Sequence, residues 1–424
     1  MRAARGGASR STATAPRRRG YAGTLPARNG AHALLTACVL LLAFGAALIT
    51  AVPPAHAQAG APGDLSEVTY PATDVTPATA SCPPKVGRAG VFVGVTAPDQ
   101  VLANARFRAC AFNDLVRAHV GIVRDVFPWA GIELAPGFYD FSTTDKYVAD
   151  AARHGMQVLP VLLMAPNFRS TAPSSNSKHG FYPPRNPNDM GAFAAVLAKR
   201  YGPGGDFWMQ HPEIPEVPVR SWQVWNEPNL PVYWADGPSP ERYAELLKAT
   251  AAGLRSVDPG ADVVTAGLPY SKDRRTLSPE QFLRGMYAAG AKGSFTTLAV
   301  HPYSDTVSRM VGALARMRRI LDANGDNGVP IWVTEVGWAT SGPPSVFTVK
   351  PRRQAQLIGS TVRTLARKRN SLGIKGVVIF TLRDSRPGPA DHDYWGFHAG
   401  LFNLKGKAKP SLAALRQAAR RVHG

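Results

Sequence analysis

Between residues 88 and 424 the chain repeats one alternation eight times: a short, almost continuously apolar run, then a longer segment of helical period. The runs predict strands over Ala89–Val95, Ile122–Trp129, Gln157–Met164, Ser221–Glu227, Asp262–Leu268, Thr297–Tyr303, Ile331–Val336 and Gly376–Leu382. Helices are expected over Phe112–His119, Thr143–His154, Asp189–Tyr201, Pro240–Ser256, Pro279–Ala289, Thr306–Ala323, Arg352–Arg369 and Ser411–Val422. Strands without polar alternation are buried on both faces, as in a parallel sheet covered by helices. Eight such units predict an α/β chain folded as a (β/α)8 TIM barrel. A doubly wound sheet would alternate as well. It usually carries a glycine-rich phosphate turn after its first strand, and none follows Ala89–Val95.

The segment before the barrel has a different texture. Residues 1–57 hold seven Arg and no acid, and enclose the apolar run 33–52, followed by Ala55-His56-Ala57. That order is the layout of a secretory signal with a long basic leader. The run is also long enough to span a bilayer. A secreted, extracellular protein is expected, with a retained single-pass anchor and an external domain as the alternative. Residues 58–87, rich in Ala, Pro and Thr, read as a linker, and 88–424 as the barrel domain. In an exported chain Cys82 and Cys110 are expected to form a disulfide.

Net charge is +20. A basic surface suits nucleic acid, an anionic polymer or the cell envelope. No nucleic-acid motif accompanies it, so a nucleic-acid partner is not expected, while association with an anionic polymer stays open.

Two of the strands end in a carboxylate. Ser221–Asn229 reads S-W-Q-V-W-N-E-P-N, with Asn226 and Glu227 just before Pro228, which has no N–H for a ladder. Ile331–Trp338 reads I-W-V-T-E-V-G-W, with Glu335 near its end. Packing explains neither acid. The 108 residues between them are three βα units of about 36, which places them on strands four and seven, across the mouth of a barrel. A pair of strand-end glutamates supplies the acid and the nucleophile that glycoside cleavage needs. Other polar groups collect at the same strand ends: Arg124, His301 and Tyr303. Trp338 and Trp395 could be sugar platforms or core residues. Asp391, His392, Asp393 and His398 are ligand types in a late loop, but their spacing matches no standard metal site, and no metal or cofactor is expected.

The motifs W-N-E-P-N (225–229), H-P-Y (301–303) and V-T-E-V-G-W (333–338) resemble those of the clan A glycoside hydrolases, the texture being closest to family 39-like or family 5-like members. The segment 129–141, W-A-G-I-E-L-A-P-G-F-Y-D-F, adds to the resemblance. It implies a retaining hydrolase of β-linked oligo- or polysaccharide, with Glu227 as acid/base and Glu335 as nucleophile. Asn226 would then bond the sugar 2-hydroxyl, Arg124 and Tyr303 would hold the nucleophile, and His301 would shape the sugar subsite. Clan members often carry Trp at the end of strand eight, where this chain has Phe380-Thr381-Leu382-Arg383. A carbohydrate-binding barrel of weak activity at the cell envelope is the alternative.

Overall fold

The computed structural model describes residues 73–75, 82, 90–97, 105–174, 181–388 and 392–423. The leader, the apolar run 33–52 and most of the expected linker lie outside them, as does Asp391. Among the described residues no helix is long and apolar enough to cross a membrane.

The strands are β1 (Val93–Thr96), β2 (Ile122–Pro128), β3 (Gln157–Leu163), β4 (Ser221–Val224), β5 (Asp262–Val264, resumed at Leu268–Pro269), β6 (Leu298–His301), β7 (Ile331–Val336) and β8 (Ile374–Ile379). The helices that follow them are α1 (Ala105–Arg117), α2 (Ser142–Arg153), α3 (Pro187–Tyr201), α4 (Pro240–Val257), α5 (Pro279–Ala288), α6 (Val307–Ala323), α7 (Pro351–Arg367) and α8 (Pro410–His423). All barrel strands pair in parallel, in the order β5-β4-β3-β2-β1-β8-β7-β6-β5, and Val264 of β5 also bridges to Thr297 just before β6, which closes the sheet and excludes the doubly wound alternative.

Strand five departs from the expected single run. Asp262–Val264 pairs with β4, and Leu268–Pro269 pairs with β6. The break, Thr265-Ala266-Gly267, still joins β6, with Thr265 N donating to Thr297 O and the Thr265 hydroxyl accepting from Ala299 N. Gly267 allows this: a Cβ there would stand 2.0 Å from His301 Nε2.

Helix boundaries follow local chemistry. Asn186, Ser239 and Ser278 cap α3, α4 and α5, each with proline in the first turn. With Asn186 as its cap, α3 begins two residues ahead of the expected Asp189. Helix α1 starts at Ala105, earlier than the expected Phe112. Cys82 is joined to Cys110 in α1, with Cα atoms 5.3 Å apart.

The core has two parts. Most apolar side chains lie between sheet and helices. Inside the barrel, Ile122, Leu159, Val264, Ala299, Trp332 and Val378 form a separate apolar floor. Above it the inward positions turn polar, and those positions build the site.

Candidate active site

On β2, Ile122 belongs to the floor, so two residues on Arg124 also faces inward. Its side chain is buried, and its guanidinium spans three partners. Nε donates to Gln223 Oε1 (2.7 Å), Nη1 to Glu335 Oε1 (2.6 Å) and Nη2 to Asn226 Oδ1 (3.0 Å). One side chain thereby fixes groups from β4, β7 and the segment after β4.

Strand β4 ends at Val224, short of the expected Glu227. Trp225 and Glu227 have φ of 67° and 44°, in the left-handed region that side chains avoid unless held. Trp225 is held: its indole donates to Tyr233 O, and its ring packs against Trp234. The reversal sends Trp225 into the core and brings Asn226 and Glu227 to the mouth. On β7 a bulge does similar work. Val333 pairs with Val377 and Val336 with Ile379, so three steps on β7 face two on β8. The extra residue lets Thr334 and Glu335, adjacent in sequence, both reach the barrel interior.

The two glutamates face one another. His301 and one carboxylate oxygen from each glutamate have ligand atoms within 4.8 Å of one another. Glu335 Oε2 accepts from the Tyr303 hydroxyl (2.7 Å), and Glu227 Oε1 lies 2.7 Å from His301 Nδ1. Burial opposes charge on Glu335, but His301, Arg124 and the Tyr303 hydroxyl outweigh it and hold the carboxyl below its ordinary range. Burial pushes Glu227 up; the bond from His301 offsets only part, and the Glu335 charge adds to the rise. The site thus keeps one carboxylate ionised and the other ready to hold a proton.

Hydrogen-bond polarity locates that proton. Arginine only donates, so Gln223 must offer Oε1 to Arg124 and its Nε2 to Thr334 Oγ1 (3.2 Å) and Thr265 O (3.1 Å). His301 bridges the two groups, its Nε2 3.0 Å from the Thr334 hydroxyl and its Nδ1 2.7 Å from Glu227 Oε1. Glu227 Oε2, buried and without a hydrogen-bond partner among the described residues, is the oxygen left to carry the acid proton. Gln223 and Thr334 were not singled out in the sequence. Their signal was a polar residue inside an apolar strand run, which a barrel interior must satisfy.

Gly267→Ala tests this arrangement. The methyl would collide with the His301 ring, so the ring leaves Glu227. Turnover should fall about a hundredfold, and the alkaline limb of the pH–rate profile should move. A profile unchanged in shape would show that His301 does not set the Glu227 proton.

The aromatic residues divide. Trp395 packs against Tyr303 (5.1 Å) and Phe347 (4.8 Å), with Phe380 at 6.2 Å, so the late loop brings an indole to the wall beside the Glu335 partner. Trp338 is fully buried in the core, and its indole donates to Ser304 O (2.8 Å). That burial leaves no face for a sugar and corrects the expectation of substrate contact. Glu133 accepts from Trp129 and Arg169 and ties down the short hairpin after β2. In the late loop His398 bonds Asp393 and Ser341. Among the described residues the cluster able to chelate a cation is Glu227, His301 and Glu335, but Arg124, Tyr303 and the His301–Glu227 bond already engage its ligand atoms.

The fold and site thus define a parallel barrel with two glutamates opposed at its mouth, one just past β4 and one near the end of β7. Its structural neighbours include family 39 glycoside hydrolases. One from Bacteroides cellulosilyticus WH2 superposes with a TM-score of 0.58 at 19% identity, over 77% of this chain and 63% of that one. A family 39 β-xylosidase from Caulobacter crescentus gives 0.55 at 22% identity, over 80% and 72%. At these identities the likeness is one of fold. In sequence, a β-xylosidase of Geobacillus stearothermophilus is 30% identical over 167 residues, 37% of this chain and 29% of that protein. The chain thus spans less than a third of that relative's length and under two thirds of the Bacteroides enzyme's. No protein-family model matches the chain.

Proposed function

We propose that the protein is a retaining glycoside hydrolase acting on β-linked oligo- or polysaccharide by double displacement. The observation that carries the reading is the opposed glutamate pair, close in space and shifted in opposite directions. A separation of about 5–5.5 Å between carboxyl groups leaves no room for a water and lets the second attack directly, whereas inverting pairs stand about 6.5–9.5 Å apart. In the first step Glu335 attacks the anomeric carbon while Glu227 Oε2 protonates the leaving oxygen. In the second, Glu227 takes a proton from water, which displaces Glu335 with net retention. Asn226, placed by Arg124, is the group for the sugar 2-hydroxyl. Both limbs of the pH profile follow: activity needs Glu335 ionised and Glu227 protonated, so it falls below the depressed value of the first and above the raised value of the second. The β-xylosidase relatives make a β-xyloside the first substrate to try. Proton NMR of the first-formed anomer checks the reading, and retention is expected. An inverted product would replace the mechanism, and binding without turnover on a panel of β-glycosides would favour the weakly active binding barrel.

We also propose that the chain is exported and cut after Ala57, on the strength of the apolar run and the A-x-A pattern. N-terminal sequencing of the exported protein should begin near Gln58; recovery of residues 33–52 in the membrane fraction would instead establish an anchor.

A further inference from the structure

The basic excess of the barrel is confined to its last 75 residues. Residues 90–349 carry 24 Lys and Arg against 23 Asp and Glu, a net charge of +1 over most of the fold. Residues 350–424 carry 16 against 3, a net of +13. A general bias toward arginine would spread over the chain; this charge is segregated.

The fold turns the segregation into a face. Helices α7 and α8 pack along one another, with Gly359 at the middle of α7 against Ala414 of α8. They follow parallel neighbouring strands, and their C-terminal ends carry Arg367 and Lys368 on α7 and Arg420 and Arg421 on α8. Arg353, Arg367, Lys368, Arg416, Arg420 and Arg421 are all exposed. Among the described residues no carboxylate forms an ion pair with any of the six. The three acids of the segment do not quench the face: Asp384 is taken by the buried Lys409, Asp393 by His398, and Asp391 lies outside the described residues. Like charges one helical turn apart repel, and nothing in the barrel needs them there for packing.

We infer that the α7–α8 face binds a polyanionic glycan, a polysaccharide bearing carboxylates or phosphates at regular intervals. Arginine forks match both groups. The helices carry no aromatic residue, so they offer no stacking platform for single-stranded nucleic acid. They also expose no large apolar side chain to enter a membrane interface. The choice of a glycan over other polyanions rests on the proposed hydrolase; the charged face itself does not.

The test is binding of the intact protein to polygalacturonate, read by titration at low and physiological ionic strength, with Arg353, Arg367, Lys368, Arg416, Arg420 and Arg421 together replaced by Gln. The wild type should bind, with affinity falling steeply with salt. The six-site variant should bind at least about tenfold more weakly while hydrolysing a small neutral aryl glycoside at the wild-type rate and melting at the same temperature. A control with Lys272, Arg274 and Arg284 replaced by Gln on the balanced part of the barrel should bind normally. Equal loss in the control would overturn the localised face. Tighter binding to a single-stranded oligonucleotide or to anionic phospholipid vesicles than to polygalacturonate at the same salt would overturn the glycan. Because binding is read without turnover, failure of the hydrolase reading leaves a distinct result: a face that binds on a barrel that does not cleave.

Discussion

Replacing Glu335 with alanine should abolish turnover on every substrate by several orders of magnitude, because it removes the atom that forms the covalent bond. Glu227→Ala should behave differently. An activated aryl glycoside needs little protonation to leave, so its first step should survive while alkyl and sugar leaving groups stall. The second step would lack a base to activate water, and the glycosyl-enzyme should accumulate and be visible by mass spectrometry. Azide needs no deprotonation. It should rescue the Glu227 variant and yield a glycosyl azide of retained configuration. In the Glu335 variant azide could only enter in place of the missing carboxylate and give the inverted azide. Exchanged outcomes would mean that the two roles are swapped, a result that the opposite pKa directions of the pair argue against. Near-normal rates in both variants would remove the assignment.

Arg124→Leu should be the most destabilising single change in the site. The buried guanidinium holds Glu335, Asn226 and Gln223 together, and its loss leaves a carboxylate without its cation beneath the mouth. Breaking a buried pair from one side costs about 3–5 kcal/mol. Glu335 has a folded pKa below its unfolded one, so its pairing stabilises the fold above the unfolded value and is lost as pH falls through the folded value. Without Arg124 that acid-side loss should shrink, and thermal melts across pH should show a lower but flatter curve in the variant. The acid limb of activity should move upward with the Glu335 proton affinity. Arg124→Lys keeps charge but not the three-way fork, and should recover only part of the stability. A variant that melts like the wild type would show that the fork does not hold the site together.

Much of this was readable from the chain, and the exceptions have causes. Strands β2, β3 and β7 are apolar runs whose interior burial leaves little other choice, and they fell close to where they were expected. Strand five did not, because Thr265-Ala266-Gly267 is apolar enough to read as strand while side chains claim its backbone: Gln223 donates to Thr265 O, Ala266 N donates to the Tyr243 hydroxyl, and the His301 ring fills the space a Cβ on Gly267 would need. The early end of β4 was hidden because Trp225 and Glu227 adopt a backbone that their residue types disfavour, held by contacts outside the strand, Trp225 to Tyr233 and Glu227 to His301. Glu227 and Glu335 were visible as acids stranded at the ends of apolar runs. His301 was visible too, but not its bond to Glu227, 74 residues away. Trp338 illustrates the limit for aromatics: sugar platforms and core fillers share a residue type, and only burial separates them.

The way Trp395 arrives bears on how such a barrel diversifies. The indole beside the site comes on the late loop, and both ends of that loop are fastened to the framework. Asp384 accepts from Gly400 N and from Lys409, which also holds Thr340 and His398 O, while Gln354 grips the carbonyls of Trp338, Ala399 and Gly400. None of these anchors touches the two glutamates. The stretch between them is therefore a cassette: its ends stay fastened to the framework whatever its sequence, and it reaches the reacting groups through Trp395 on Tyr303.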